Sequence, residues 1–403
     1  MRIVRCVVLL SLLLASPLHA DGRLQPVVQG KDRTQIVMLS AELTQRWISK
    51  LSDALYRVVN VPNFSIVLAP DQSGRLNLLD STSGKINKRF WFDFGLQILD
   101  GPTERLSEIA LSEHGELLAL SGTTWNKIAI LNVLRLVSLD DTMALRVTSS
   151  NEIWGHKMVL TDGGGKPSPA FTGGLAFRFA EYRRESFTNI AFCDSDTRVV
   201  AVTNRGRLIG WDTTSMVAAR QRSLTTAEVP LDLEQMDRLY VREVIPSRFG
   251  RREVRGVACN NKGRLVLIGD EGRDGFLQLW NSREGELIDS VHVGSPAAHS
   301  TRVQRVTFDG SGVFFLTVGE IEDQIWRIVD DSIVPIARVI TRKYPRLFPT
   351  SHFASLWPPG GFIVSDGEGT FVIDPLAMTA KPVGAVSKEP IVCGFKPERG
   401  FEC

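Results

Sequence analysis

Four stretches of this chain align without gaps on one strand–turn–strand phrase. They are Ile109-Ala-Leu-Ser-Glu-His-Gly-Glu-Leu-Leu, Ile190-Ala-Phe-Cys-Asp-Ser-Asp-Thr-Arg-Val, Val257-Ala-Cys-Asn-Asn-Lys-Gly-Arg-Leu-Val and Val306-Thr-Phe-Asp-Gly-Ser-Gly-Val-Phe-Phe. Each joins an apolar strand end to a polar turn and a second apolar strand. Such turns need residues that accept positive φ, and the flanking strands need β-branched or bulky side chains. The third phrase turns polar early, so its register is expected to slip by one residue.

A second landmark follows each phrase, a large apolar residue and a polar one that close a third strand. It recurs at Leu79-Asp80, Leu131-Asn132, Trp211-Asp212, Trp280-Asn281, Trp326-Arg327 and Ile373-Asp374, with gaps of 52, 80, 69, 46 and 47 residues. Glu253 to Val291 is the best-formed unit, with four short β-rich runs separated by turns. Repeats of about 40–50 residues with four short strands each are the signature of propeller blades. The gap of 80 hides a further unit within Leu145 to Tyr182, and the gap of 69 holds an insertion near Ser223 to Phe249. The reading is an all-β, closed β-propeller of four-stranded blades, seven in number, spanning residues 61–385.

Before the blades, Ser40 stands as an N-cap to Ala41–Val59, where Leu43, Trp47, Leu51, Leu55 and Val58 recur every three or four residues. That spacing predicts a short N-terminal helix. Thr34 to Leu39 is expected to supply a closing strand beside Phe362 to Ile373, since closure removes exposed sheet edges. A second short helix is expected around Leu231 to Val241. Residues 386–403 form a C-terminal tail.

Trp211-Asp212, with Gly206-Arg-Leu-Ile-Gly before it, resembles the third strand of a WD repeat. Val306-Thr-Phe-Asp-Gly-Ser-Gly resembles the first turn of that repeat. The resemblance, to degenerate exported bacterial WD-repeat-like propellers, covers roughly Asn63 to Pro382. It implies an interaction platform and names no partner. Only one Trp-Asp closes a unit, and Gly155-His156 falls outside the usual position.

Residues 1–20 read as a secretory signal. Arg2 and Arg5 precede the apolar Cys6–Ala15, Pro17 breaks the helix, and Ala20 offers a cleavage site. Ten apolar residues fall short of the roughly 20 that span a bilayer. The expected location is therefore periplasmic or secreted. With Arg2 and Arg5 removed, 45 of the 47 basic residues remain against 45 acidic ones. Such a balance gives no field toward nucleic acid.

The remaining cysteines, Cys193, Cys259, Cys393 and Cys403, suit an oxidising compartment and allow three pairings. Cys393 and Cys403 flank a short loop and form the most natural local bridge. Cys193 with Cys259 follows by subtraction, with free buried thiols as the alternative. Those two stand near equivalent positions of adjacent units, and a bridge needs Cα atoms within about 7 Å. They meet only if the innermost strands crowd together.

No catalytic or cofactor motif emerges. Gly163–Lys166 lacks phosphate-loop spacing, there is no Gly-x-Ser-x-Gly elbow, and no histidine pair has metal-ligand spacing. Glu113, His114, Asp194, Asp196, Asn260 and Asp309 could converge on a central channel, but turns use such residues for self-capping. Trp211, Trp280 and Trp326 are expected in the packing between sheets. Arg248, Arg251, Arg252 and Arg255 read as a solvated basic loop. The leading expectation is a non-catalytic, monomeric scaffold that binds a protein or peptide on one face of the disc. A metal-dependent propeller hydrolase or lactonase with its site in the channel is the alternative.

Overall fold

A computed structural model describes residues 25–403 apart from 30–32, 94–105, 123–126, 139–142, 149–155, 162–166, 179–186, 215–237, 245–251, 292–296, 298–302, 341–351, 356–360, 366–368, 384–389 and single or paired positions between them. Residues 1–20, read above as a signal, Gly163–Lys166, Arg248, Arg251 and most of the 223–249 insertion lie outside the described residues.

The strands β1 (Gln25–Gln29), β2 (Gln35–Leu39) and β3 (Gln45–Lys50) form a three-stranded sheet. Next come β4 (Val59–Val61), β5 (Ile66–Pro70), β6 (Arg75–Asp80) and β7 (Ile86–Asp93), then β8 (Leu106–Leu111), β9 (Leu117–Gly122) and β10 (Lys127–Asn132). After the short helix α1 (Val133–Ser138) follow β11 (Met143–Thr148), β12 (His156–Thr161) and β13 (Pro167–Arg178). The strands β4 to β13 share one ten-stranded sheet, ordered β4-β5-β6-β7-β11-β12-β13-β10-β9-β8.

Two four-stranded antiparallel sheets come next. One holds β14 (Phe187–Cys193), β15 (Arg198–Thr203), β16 (Arg207–Asp212) and β17 (Arg238–Glu243). The other holds β18 (Arg252–Cys259), β19 (Arg264–Glu271), β20 (Asp274–Asn281) and β21 (Glu286–Val291). The strands β22 (Val303–Phe308), β23 (Phe314–Gly319), β24 (Glu322–Val329) and β25 (Ser332–Ile340) are extended into six by the C-terminal hairpin β30 (Ile391–Lys396) and β31 (Gly400–Glu402). Between them in sequence, β26 (His352–Ser355), β27 (Phe362–Ser365), β28 (Thr370–Asp374) and β29 (Thr379–Val383) form the last sheet.

This is an all-β propeller arrangement of small antiparallel sheets, as the repeats predict. Among the described residues the sheets number six, not the seven blades that the landmark spacing predicts. Within residues 145–182, the described residues do not build a unit of their own. Their strands join β7 to β10 within the ten-stranded sheet, with β11 lying parallel to β7. Five of the six landmarks end their strands, and Trp326-Arg327 stands two residues before the end of β24.

The core lies between the sheets. Trp211 and Phe187 pack with Ile128 and Ile130 of the neighbouring sheet, Trp280 with Val200 and Leu208, and Trp326 with Val266 and Leu279. All three tryptophans are buried, which confirms their expected place. Trp326 stacks on Phe315 at 6.1 Å and donates from Nε1 to Thr317 Oγ1 at 2.7 Å.

The predicted N-terminal helix is instead the strand β3 followed by an irregular path to β4. The misreading has a simple cause. Leu43, Trp47, Leu51 and Leu55 are four residues apart, which keeps one face of a strand as well as of a helix. The expected closing strand also differs. The strand β2 is the centre of its own sheet and meets the last sheet through side chains, with Val27, Val37 and Leu39 packing on Ile363. Ser365 Oγ donates to Val28 O at 2.8 Å, and Gln29 Nε2 donates to Thr370 Oγ1 at 2.6 Å. The helix expected around Leu231–Val241 is contradicted where it is described, because Arg238–Glu243 is the strand β17. Arg252 and Arg255 likewise stand within β18 and not in a loop.

Trp47 fixes the first two sheets together. Its Nε1 donates to Ser81 O at 2.8 Å, and its ring covers Gly84, which has φ of 70°. A Cβ at Gly84 would lie 2.5 Å from the ring, whereas one at Gly206, φ 76°, would meet nothing within 4 Å. Gly206→Ala should therefore cost only the backbone strain, about 1 kcal/mol. Gly84→Ala adds the clash and should cost about 2–4 kcal/mol. Denaturant unfolding of both variants checks the difference.

Candidate binding cavity

The strands β8, β14, β18 and β22 are the first strands of successive repeats, and their C-terminal ends line one cavity of about 320 Å³. The turn after each strand begins with a capping residue. Ser112 Oγ accepts the N–H groups of Glu116 and Leu117 at 3.1 and 3.0 Å. Asn260 Oδ1 accepts those of Lys262 and Arg264 at 3.0 and 2.8 Å. Asp309 Oδ1 accepts from Phe314 N–H at 3.1 Å, and its Oδ2 from Ser311 Oγ at 2.6 Å. The third turn closes one residue sooner than the first and fourth, with Asn260 N–H on Arg264 O, against Ser112 on Leu117 O and Asp309 on Phe314 O. That is the register slip expected from the sequence.

The second turn is the strained one. Asp194, Ser195 and Asp196 have φ of 53°, 51° and 68° in succession, where the other turns place a single glycine. Left-handed residues other than glycine cost of order 1 kcal/mol or more each and persist where surrounding structure holds them. Here Asp194 accepts from Arg283 Nε and Nη2 at 3.0 and 2.8 Å, pairs with Arg198, and accepts from Thr197 Oγ1. Burial alone would push the Asp194 carboxyl up. Hydrogen bonding and charge from Arg283 and Arg198 outweigh it and hold the carboxyl below its ordinary value.

The turns are also joined to one another. Glu113 N–H donates to Asp196 Oδ1 at 2.7 Å, Asp194 N–H to Asn260 O at 3.4 Å, and Asn260 Nδ2 to Gly312 O at 2.8 Å. Cys193 and Cys259 stand in the same wall at disulfide distance, with Cα atoms 5.2 Å apart. The innermost strands crowd at this end, so the separation that weighed against the pair does not arise. Cys393 and Cys403 are also at disulfide distance, with Cα atoms 4.0 Å apart across the C-terminal hairpin.

The structure thus brings Glu113, Asp194, Asp196, Asn260 and Asp309 to one cavity. His114, His292 and His299 lie outside the described residues, and His156 and His352 stand on β12 and β26. Among the described residues no group of three or more His, Cys, Asp or Glu side chains could hold a metal ion.

Sequence reading missed Arg57. It also lines the cavity, donating from Nη1 to Ile109 O at 3.1 Å and facing Glu108 at 3.8 Å. It was hidden inside the supposed helix. The β-branched run Val58-Val59-Asn60-Val61 was the available signal that a strand begins there.

No protein-family model matches this chain, and no curated protein matches it. Among solved structures, a chain of the "Crystal Structure of Mitotic Checkpoint Complex" matches with a TM-score of 0.50 at 11% identity. The match covers 83% of this chain and 78% of that one. At this identity the likeness concerns the fold alone.

Two outcomes follow for the rim. Cys193→Ser with Cys259→Ser should lower stability by about 2–4 kcal/mol, seen as an earlier unfolding midpoint that added reductant no longer shifts through this pair. Asp194→Asn should cost about 1–3 kcal/mol at pH 7. The folded carboxyl is depressed, so its contribution is present above the unfolded value of about 4 and lost as pH falls through the folded one. The gap between wild type and variant should therefore narrow in acid, which unfolding titrations at a series of pH values measure.

Proposed function

We propose that this protein is an exported propeller scaffold, periplasmic or secreted, that binds a protein or peptide partner at the cavity face. The observation that carries the reading is the rim. Three consecutive left-handed residues are held there by a cysteine pair, ion pairs and turn-to-turn hydrogen bonds. Rigidity of this kind lowers the entropy lost on binding. A cavity of about 320 Å³ is at the small end for ligand sites and suits one or two inserted side chains. The two cysteine pairs fit an oxidising compartment, and no helix among the described residues is long and apolar enough to cross a membrane.

The rim carboxylates bear on the hydrolase alternative. Asp309 is committed to Phe314 and Ser311, and Asp194 to two arginines. A divalent cation would compete with these bonds and with the two arginine charges, which favours the binding reading.

Selection of displayed peptides against the purified protein tests the proposal. Asn261 is exposed and lines the cavity. Asn261→Trp should weaken selected peptides at least tenfold, while Lys396→Ala on the C-terminal hairpin should leave them unchanged. Equal binding to both variants, or no enriched peptide, would refute this assignment.

A further inference from the structure

We propose that thiol–disulfide exchange at the Cys193–Cys259 pair regulates the cavity: a dithiol that reduces the pair loosens the rim and weakens the bound peptide. The inference rests on the peptide-binding reading above, whose regulation it names.

The four rim turns are linked in a row, and their joints differ in strength. Glu113 N–H donates to Asp196 Oδ1 at 2.7 Å, tying the first turn to the second. Asn260 Nδ2 donates to Gly312 O at 2.8 Å, tying the third to the fourth. Between the second and third, Asp194 N–H meets Asn260 O and Ser195 Oγ meets Asn261 O, each at 3.4 Å. Contacts of that length stand beyond the usual range of hydrogen bonds and are weak. Arg283, in the turn between β20 and β21, moors the Asp194 carboxylate but not the backbone of this joint. The disulfide stands where the hydrogen bonds are longest. Cys193 directly precedes Asp194 and Cys259 directly precedes Asn260, with Cα atoms 5.2 Å apart.

The same joint carries backbone strain. Asp194, Ser195 and Asp196 are left-handed in succession immediately after Cys193. Non-glycine residues hold that conformation only while their surroundings impose it. With the covalent link cut, residues 194–196 relax, and the cavity wall that they form moves with them.

A thiol can reach the pair. One exposed residue from each turn lines the cavity, namely Glu113, Ser195, Asn261 and Gly310, so the cavity opens to solvent. Both cysteines line it as well, Cys259 half-buried and Cys193 only 2% exposed. An incoming thiolate therefore attacks Cys259 Sγ, the S–S bond breaks, and Cys193 leaves as a thiolate. The second thiol of the same molecule then attacks the mixed disulfide, releases the Cys259 thiolate and departs as a cyclic or intramolecular disulfide. Two electrons pass from the dithiol to the protein, and the two protons of the dithiol end on the two cysteines. The Cys393–Cys403 pair clasps the C-terminal hairpin away from the cavity and serves as an internal control.

The test treats the full-length protein, purified without reductant, with dithiothreitol under native conditions. Mass analysis after alkylation counts the released thiols, and NMR follows backbone amide exchange. Release at Cys193 and Cys259 should speed exchange of the Asp194 and Thr197 amides at least tenfold and leave that of Phe314, bonded within the fourth turn, unchanged. Reoxidation should restore slow exchange. Cys393→Ser with Cys403→Ser should respond as the wild type does, whereas Cys193→Ser with Cys259→Ser should exchange fast with or without reductant. Melting curves confirm that each variant folds, and the wild-type comparison stands without them. No thiol released at this pair in the folded protein, or release with unchanged exchange at Asp194 and Thr197, overturns the proposal.

Displayed peptides selected on the oxidised protein separate the two readings. They should bind the reduced protein at least tenfold more weakly. Peptides that bind both redox forms equally overturn the control proposed here and leave peptide binding standing. Faster exchange on reduction with no enriched peptide overturns peptide binding and supports a thiol-sensitive rim.

Discussion

Burial between sheets is the constraint on which the rest of this molecule depends. A small antiparallel sheet with two apolar faces has no stable existence alone, because each face must be covered by another layer. Here the covering layer is the next sheet. Val266 and Ile268 of β19 meet Phe308, Phe315 and Trp326 of the following sheet, while Leu265 and Leu267 on the opposite face of β19 meet Cys193, Val200 and Tyr240 of the preceding one. Alternation along a single strand thus serves two interfaces. The large closing residues Trp211, Trp280 and Trp326 follow from this demand, since each fills the gap between sheets.

That arrangement leaves the innermost strands as sheet edges, with turns brought together at one end. Edge backbone groups need partners or water. Arg57 satisfies one of them at Ile109 O, and the linked turns satisfy others. The cavity is therefore a by-product of face-to-face packing, and its chemistry is set by the few side chains that reach into the gap.

How much of this was legible in the sequence depended on the range of the signal. Turns and closing landmarks are local, so β8, β14, β18 and β22 were located from their own residues, as were the buried tryptophans. Asn260 and Asp309 cap their own turns, as turn chemistry predicts, whereas Asp196 reaches a neighbouring turn and Asp194 is held by Arg283 and Arg198. What failed was anything decided by neighbours distant in sequence. Residues 145–182 carry strand-like periodicity, but only the edges of β7 and β10 make them part of a larger sheet. The segment from Leu43 to Leu55 satisfies two periodicities at once, and only Gly84 and Ser81, supplied by the next sheet, settle Trp47 on a strand. Arg57 was lost with that segment. The Cys193–Cys259 pair was foreseen, but its feasibility turned on how tightly the inner strands converge, which no local pattern encodes.

The contact between the first and last sheets has a bearing on how the chain reaches its folded state. Ser365 Oγ reaches Val28 O, and Gln29 reaches Thr370, across 337 and 341 positions of sequence. During synthesis at about 5–20 residues per second, the first sheet emerges many seconds before its covering surface exists. Val27, Val37 and Leu39 are almost wholly buried once Ile363 packs on them, but until then they present a sticky edge. A chain built this way gains from being held unfolded until it is complete, and assembly of the N-terminal sheet belongs to the end of folding although it comes first in synthesis.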